Sequence, residues 1–288
     1  MNGILVVNKP TNYTSRDIVN IVSKKFNTKK VGHTGTLDPL ATGVLVLCLG
    51  NHLKIAELLT ANTKEYIAKI VLGIETDTLD ITGTILKEEY KNNYTKEEIT
   101  KVISSFTGII TQEVPKYSAV KVKGKKLYEY ARNNIEVKLP TKTVEIYSIE
   151  LIDIPHIVDN HLEFSIKCKV SKGTYIRSLV RDIGHKLNTI ATMKELTRIK
   201  QGKFTIEDAY TIEDIIQDKS KLLNMQDVLD IPKIKIDSRL EAKIKNGQIL
   251  PRFFKEDRAI IINKQNSLLG IYQTYEKDKN KVKPWKMF

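Results

Sequence analysis

Residues 32–43 read Gly-His-Thr-Gly-Thr-Leu-Asp-Pro-Leu-Ala-Thr-Gly, one imidazole and one carboxylate in a stretch otherwise built for backbone shape. Glycine lets backbone approach backbone or ligand closely and adopt positive φ. Pro39 has no N–H and biases Asp38 towards an extended conformation. The segment therefore reads as a rigid loop presenting His33 and Asp38 at the mouth of an apolar strand, Val44–Leu49. A carboxylate so placed serves as a nucleophile or stabilises charge at a reacting carbon. Asp-Pro is also an ordinary turn opener, and Gly/Thr-rich loops mostly connect elements, so spacing alone leaves both readings open. Asp77 and Asp80, in Thr-Asp-Thr-Leu-Asp-Ile-Thr-Gly (76–83), have the residue types of a two-carboxylate glycosidase site. Their threonines and glycine fit better a loop ordered by its own hydrogen bonds.

These residues need a scaffold. The opening strand Ile4–Asn8 leads through Pro10 to Ser15, read as a helix cap. Ile18, Val19, Ile21, Val22 and Phe26 follow at helical spacing. A short helical piece falls near Ala56–Leu59, and Tyr66–Leu72 is a β-branched and aromatic strand. Residues 95–106 repeat apolar side chains at helical intervals; 142–152 and 161–171 alternate as strands. Thr174–Leu187 reads as a helix with Ile176, Leu179, Val180, Ile183 and Leu187 inward. Strands interleaved unevenly with helices argue an α+β fold.

At 288 residues there is room for one large domain and a small one. The formal net charge of +13 makes a polyanion, nucleic acid before membrane, the expected partner. Seven basic residues against two acidic ones lie between Lys121 and Lys142, and Lys233–Phe288 carries 14 basic and 6 acidic residues. Tyr117, Tyr128, Tyr130, Tyr272, Tyr275 and Trp285 interleave with these runs, a combination that favours RNA over a merely solvated face. No apolar run approaches the roughly 20 residues that span a bilayer, and the N-terminus reads as a strand rather than a signal peptide. Cys48 and Cys168 stand far apart in strand-like runs, so neither disulfide nor zinc site is expected. The expectation is a metal-free protein of the cytoplasm.

The whole twelve-residue string 32–43 resembles, without a gap, the signature loop of the TruB family of tRNA pseudouridine synthases. The resemblance continues through Lys64-Glu65-Tyr66, the 76–83 loop, Ser118-Ala119 with Lys121, and Gly124–Arg132. It extends to Ser171-Lys172-Gly173-Thr174-Tyr175-Ile176-Arg177 and to Lys194–Arg198. Gln112-Glu113-Val114-Pro115 departs from the family, which often has consecutive prolines there; Leu79 and Ile81 replace commoner small or polar residues.

The resemblance implies a catalytic domain over 1–230 with a central mixed, largely antiparallel sheet flanked by helices. It implies an RNA-gripping insertion at about 116–142 and a small β-rich PUA-like module over 231–288. It further implies Asp38 as the essential carboxylate, Tyr66 and Arg177 as its catalytic companions, and substrate contacts from His33, Tyr175, Leu196, Lys9 and Lys121. His33 would fill the space left by a flipped base. The implied reaction isomerises uridine 55 in the T-loop of tRNA, with no group donor and hence no cofactor. A guanidinium such as Arg177 beside Asp38 would keep the carboxylate ionised in a closed pocket. A stand-alone monomer is expected, since a guide-RNA-dependent synthase of the dyskerin type predicts terminal extensions and partner proteins. A silent RNA-binding protein would need none of Asp38, Tyr66 and Arg177, and a glycosidase none of the basic insertion and tail.

Overall fold

The apolar runs Ile4–Val7 and Val44–Leu49 are continuous rather than alternating, which suits strands covered on both faces. A computed structural model, which describes residues 1–60 and 63–288, contains both covers. Strands Gly3–Lys9 and Thr42–Leu49 pair antiparallel, Gly3 opposite Leu49 and Lys9 opposite Gly43. Leu5, Val7, Leu45, Leu47 and Leu49 face one core, joined by Ile18, Val19 and Val22 of the helix Ser15–Lys25. Ile4, Val6, Val44, Val46 and Cys48 face a second core, closed by Ile260, Ile262 and Ile271 of the C-terminal strands.

These two strands open a ten-stranded sheet. Its main path continues through Ala191–Gln201, Thr63–Leu72, His161–Ser171, Thr141–Leu151 and Gly108–Glu113. The junction of Thr197 and Arg198 with Thr42 and Gly43 is parallel, and the other neighbours along the path are antiparallel. The helix Ile176–Lys186 lies on this sheet through Leu179, Val180 and Ile183. A Cβ on Gly184 would sit 2.6 Å from the Ala191 methyl, so the helix can come this close only with glycine there. The architecture is α+β, as the pattern of elements predicts.

Two local features differ from the sequence expectation. Thr14, not Ser15, caps the first helix, in a reciprocal box with Asp17. The strand Ala191–Gln201 has no clean alternation to announce it, because bulges at Met193/Glu195 and Arg198/Lys200 break the period of two.

The insertion folds into a small hairpin, Lys121–Val122 against Lys125–Lys126, followed by the helix Leu127–Arg132. Lys123 (φ 49°) and Gly124 (φ 86°) make its two-residue turn, where positive φ matches the strand twist. The C-terminal residues form a separate five-stranded sheet ordered Lys233–Lys235, Arg258–Ile262, Leu268–Tyr275, Asp278–Met287 and Leu250–Pro251. It has its own core around Ile244, Phe254, Ile261, Tyr272 and Val282. Among the described residues no helix is long and apolar enough to cross a membrane.

Candidate active site

The signature loop is held from behind by buried polar side chains. Arg198, fully buried, donates from Nε to the Val44 carbonyl at 2.7 Å, from Nη1 to Thr36 at 3.3 Å and from Nη2 to Gly35 at 3.0 Å. The planar guanidinium fork sets the three carbonyls in one fixed geometry. Gln201 donates to the Thr34 hydroxyl at 2.6 Å. The Ser15 hydroxyl both donates to the Leu37 carbonyl (3.1 Å) and accepts from its N–H (2.9 Å). Lys9 donates to the carbonyls of Pro10 (2.8 Å), Tyr13 (2.7 Å) and Pro39 (3.2 Å). Gly43 takes φ +98°, and a Cβ there would lie 2.3 Å from the Arg198 carbonyl oxygen, so this position demands glycine.

On the front of that loop the Asp38 carboxylate meets Arg177, Oδ2 to Nε at 2.9 Å. The Asp38 side chain is 37% exposed and that of Arg177 only 5%, so a buried cation offers up a carboxylate that solvent can still reach. Arg177 also donates to the Thr78 carbonyl at 2.9 Å and the Tyr117 carbonyl at 3.0 Å. Asp80 Oδ2 stands 4.0 Å from Arg177 Nε, while its Oδ1 accepts from the Thr78 hydroxyl and from the Thr82 N–H and hydroxyl. Asp77 accepts from the Thr84 N–H and the Tyr117 hydroxyl. The two aspartates of the 76–83 loop are therefore committed to hydrogen bonds that order it.

A cavity of about 630 Å³ opens over Asp38 and Arg177, and Tyr66, Tyr175, Leu196 and Arg198 line it as well. Its volume lies in the range of small-ligand sites. Tyr66 is almost wholly buried on the strand Thr63–Leu72, and burial pushes its hydroxyl pKa up despite the hydrogen bond and charge of Arg198. The phenol is thus neutral near pH 7. Lys64, Lys142 and Lys172 line the cavity too. Burial, with the charges of Arg198 and Lys172, lowers the Lys64 ammonium to about 8, and an approaching anion would relieve that repulsion.

The structure thus brings Asp38, Tyr66, Arg177, Tyr175 and Leu196 to one cavity, and places the other expected contacts elsewhere. Lys9 is fully buried behind the loop, spending its ammonium on carbonyls; burial lowers it to about 8, and Asp38 only partly offsets this. It supports the loop rather than facing the cavity. Lys121 lies exposed on the insertion hairpin, away from the cavity lining. His33 ends the strand Val31–His33 at the foot of the loop, half-buried. Its Nδ1 is buried without a hydrogen-bond partner among the described residues. Burial, then the charges of Arg16 and Arg198, lower its pKa, so the ring is neutral.

Arg198, Gln112 and Ser15 are the supports that sequence reasoning misses. Arg198 and Leu196 share a strand face two residues apart, so a cation on a buried face was the available signal. Gln112 clamps the backbone of Tyr175, accepting from its N–H at 2.7 Å and donating to its carbonyl at 3.0 Å. Gln112 thus fixes a cavity residue from the strand beside it. Among the described residues no group of three His, Cys, Asp or Glu is placed to hold a metal ion.

Known proteins resemble this chain in sequence and in fold. The family described as "TruB family pseudouridylate synthase (N terminal domain)" matches residues 23–176, and "tRNA pseudouridylate synthase B C-terminal domain" matches 177–231. The second span contains the strand Ala191–Gln201, so the boundary between the two runs through the ten-stranded sheet rather than between the two sheets. A curated relative from Clostridium tetani, "tRNA pseudouridine synthase B", is 44% identical over 284 residues, covering 95% of this chain and 92% of that one. A protein of the same name from Caldanaerobacter subterraneus is 42% identical, covering 96% and 92%. Among solved structures, an H/ACA ribonucleoprotein bound to a substrate RNA containing 2'-deoxyuridine has a chain that superposes with a TM-score of 0.69. That match covers 99% of this chain and 84% of the other at 23% identity, a likeness of fold. By sequence along its whole length and by fold, the chain belongs to the TruB family of pseudouridylate synthases.

Proposed function

We propose that the chain isomerises uridine 55 in the T-loop of tRNA to pseudouridine, with Asp38 as the catalytic carboxylate and the target base flipped into the cavity. The observation that carries this reading is the Asp38–Arg177 pair at 2.9 Å, half open to a cavity walled by Tyr66 and Leu196. The curated relatives are named for tRNA and for pseudouridine, which supports both the substrate and the product. In the reaction N1–C1′ breaks, uracil turns, and C5 bonds to C1′. A proton leaves C5 and N1 gains one, so nothing is oxidised or donated from outside and no cofactor is needed. Asp38 offers negative charge to the centre from which uracil departs. Arg177 pairs with that carboxylate and aims it, and Tyr66 supplies a flat wall with a neutral hydroxyl that suits relaying a proton better than holding one.

Unstacking the target base costs a few kcal/mol, which contacts within the cavity must offset. A neutral His33 ring fits the role of filling the vacated stack. Residues 1–230 form the catalytic domain in this reading, and 231–288 the RNA-holding module. The enzyme acts on the T-arm as a monomer, without an obligate protein partner, in the cytoplasm. Asp38→Asn tests the assignment. The expected variant binds unmodified tRNA within a few-fold of the wild type and forms no pseudouridine; retained turnover contradicts the role of Asp38.

A further inference from the structure

Arg177 is anchored on two segments that lie far apart in sequence. Nη1 reaches the Thr78 carbonyl in the 76–83 loop, and Nη2 reaches the Tyr117 carbonyl at the start of the insertion, leaving Nε for Asp38. Tyr117 then returns to the 76–83 loop with its side chain, its hydroxyl donating to Asp77 Oδ2 at 3.0 Å. Asp77 is itself fixed, since its Oδ1 accepts from the Thr84 N–H at 2.8 Å. The hydrogen bond to Asp77, with burial and the carboxylate's charge, pushes the Tyr117 pKa up, so its proton stays in that bond. Beyond Tyr117 the insertion arches over a cavity of about 740 Å³ lined by Asp77, Tyr117, Leu127, Ile135 and Leu139. Tyr117 ties the start of the insertion to the 76–83 loop.

We propose that Tyr117 is a positioning residue that couples the seating of the insertion to the Arg177–Asp38 pair. With its hydroxyl on Asp77, the Tyr117 and Thr78 carbonyls stand at the spacing that the two Nη groups require. Arg177 is then turned so that Nε meets Asp38. RNA held by the basic insertion and the aim of the carboxylate become one mechanical unit. The inference rests on the reading of Asp38 as the catalytic carboxylate.

The test is Tyr117→Phe, alone and with Arg177→Lys, measured as single-turnover pseudouridine formation in a tRNA transcript, with tRNA affinity and thermal unfolding alongside. Removing the hydroxyl is expected to slow the reaction about tenfold, as small misplacements of reacting groups do, with affinity changed about threefold at most. Lysine cannot bridge two carbonyls and Asp38 as arginine does. In that background Tyr117→Phe is therefore expected to change the rate less than about twofold, the signature of one shared pathway. A full rate for Tyr117→Phe overturns the proposal, and so does the same tenfold loss in both backgrounds. If the wild type forms no pseudouridine, it is the underlying functional reading that fails, and that outcome is distinct because it appears without any substitution.

Discussion

At the scale of single residues, the site depends on two arginines with different duties. Arg177 touches Asp38, whereas Arg198, on the same cavity, holds the loop carbonyls of Gly35 and Thr36 and that of Val44 just beyond them. Gly43 lies where the loop passes that second arginine, at φ +98° with no room for a Cβ. Gly43→Ala combines a disfavoured backbone region with a clash against backbone, and is expected to cost about 2–3 kcal/mol of stability. A shift in the urea midpoint at unchanged slope measures this; an unshifted midpoint contradicts the close packing. Asp38, Tyr66 and Arg177 stand inside long motif matches, and the fold brings all three to one cavity, whereas His33 of the same match lies outside its lining. Lys9, expected as a substrate contact, turns into the loop instead, because full burial against three carbonyls is a property of the folded loop.

At the scale of elements, the helix Ile176–Lys186 carries Arg177, and its entry is set by Gln112 on the edge strand Gly108–Glu113. Gln112→Leu leaves the Tyr175 N–H and carbonyl without their partner, at an expected cost of about 2–3 kcal/mol. Pseudouridine formation is expected to fall with it, since Tyr175 and Arg177 move together. Gln112→Glu can still accept from the N–H but has no donor for the carbonyl, and should fall between. Chemical denaturation of the three proteins orders them, and equal stability for all of them argues against the clamp. Strands and helices with clean periodicity, such as His161–Ser171 and Ile176–Lys186, follow directly from pattern. The strand Ala191–Gln201 does not, because two bulges and a buried cation disguise it, although it is the one that brings Leu196 and Arg198 to the cavity.

At the scale of the whole molecule, the C-terminal sheet is an RNA-holding module in the proposed reading, but it is also part of the core. Ile260, Ile262 and Ile271 close the face formed by Ile4, Val6, Val44 and Val46, and Lys286 meets Glu57 at 3.1 Å across the same junction. The uninterrupted apolar run Val44–Leu49 already signalled a cover on that face, while nothing in the sequence said which segment provides it. Deleting the tail would expose this surface and confound any binding test, so surface substitutions serve better. Neutralising the exposed Lys243, Lys255, Lys277 and Lys279 is expected to weaken tRNA binding. The slope of log affinity against log salt should become shallower by about 0.7–0.9 for each phosphate no longer neutralised, while activity on a minimal T-arm stem-loop persists. An unchanged slope removes these lysines from the RNA interface. The proposed chemistry of Asp38 is tested most directly by incubating wild type and Asp38→Asn with unmodified tRNA and mapping pseudouridine position by position. A single pseudouridine at position 55 is expected with the wild type and none with the variant. Modification elsewhere, or equal modification by both proteins, contradicts the assignment.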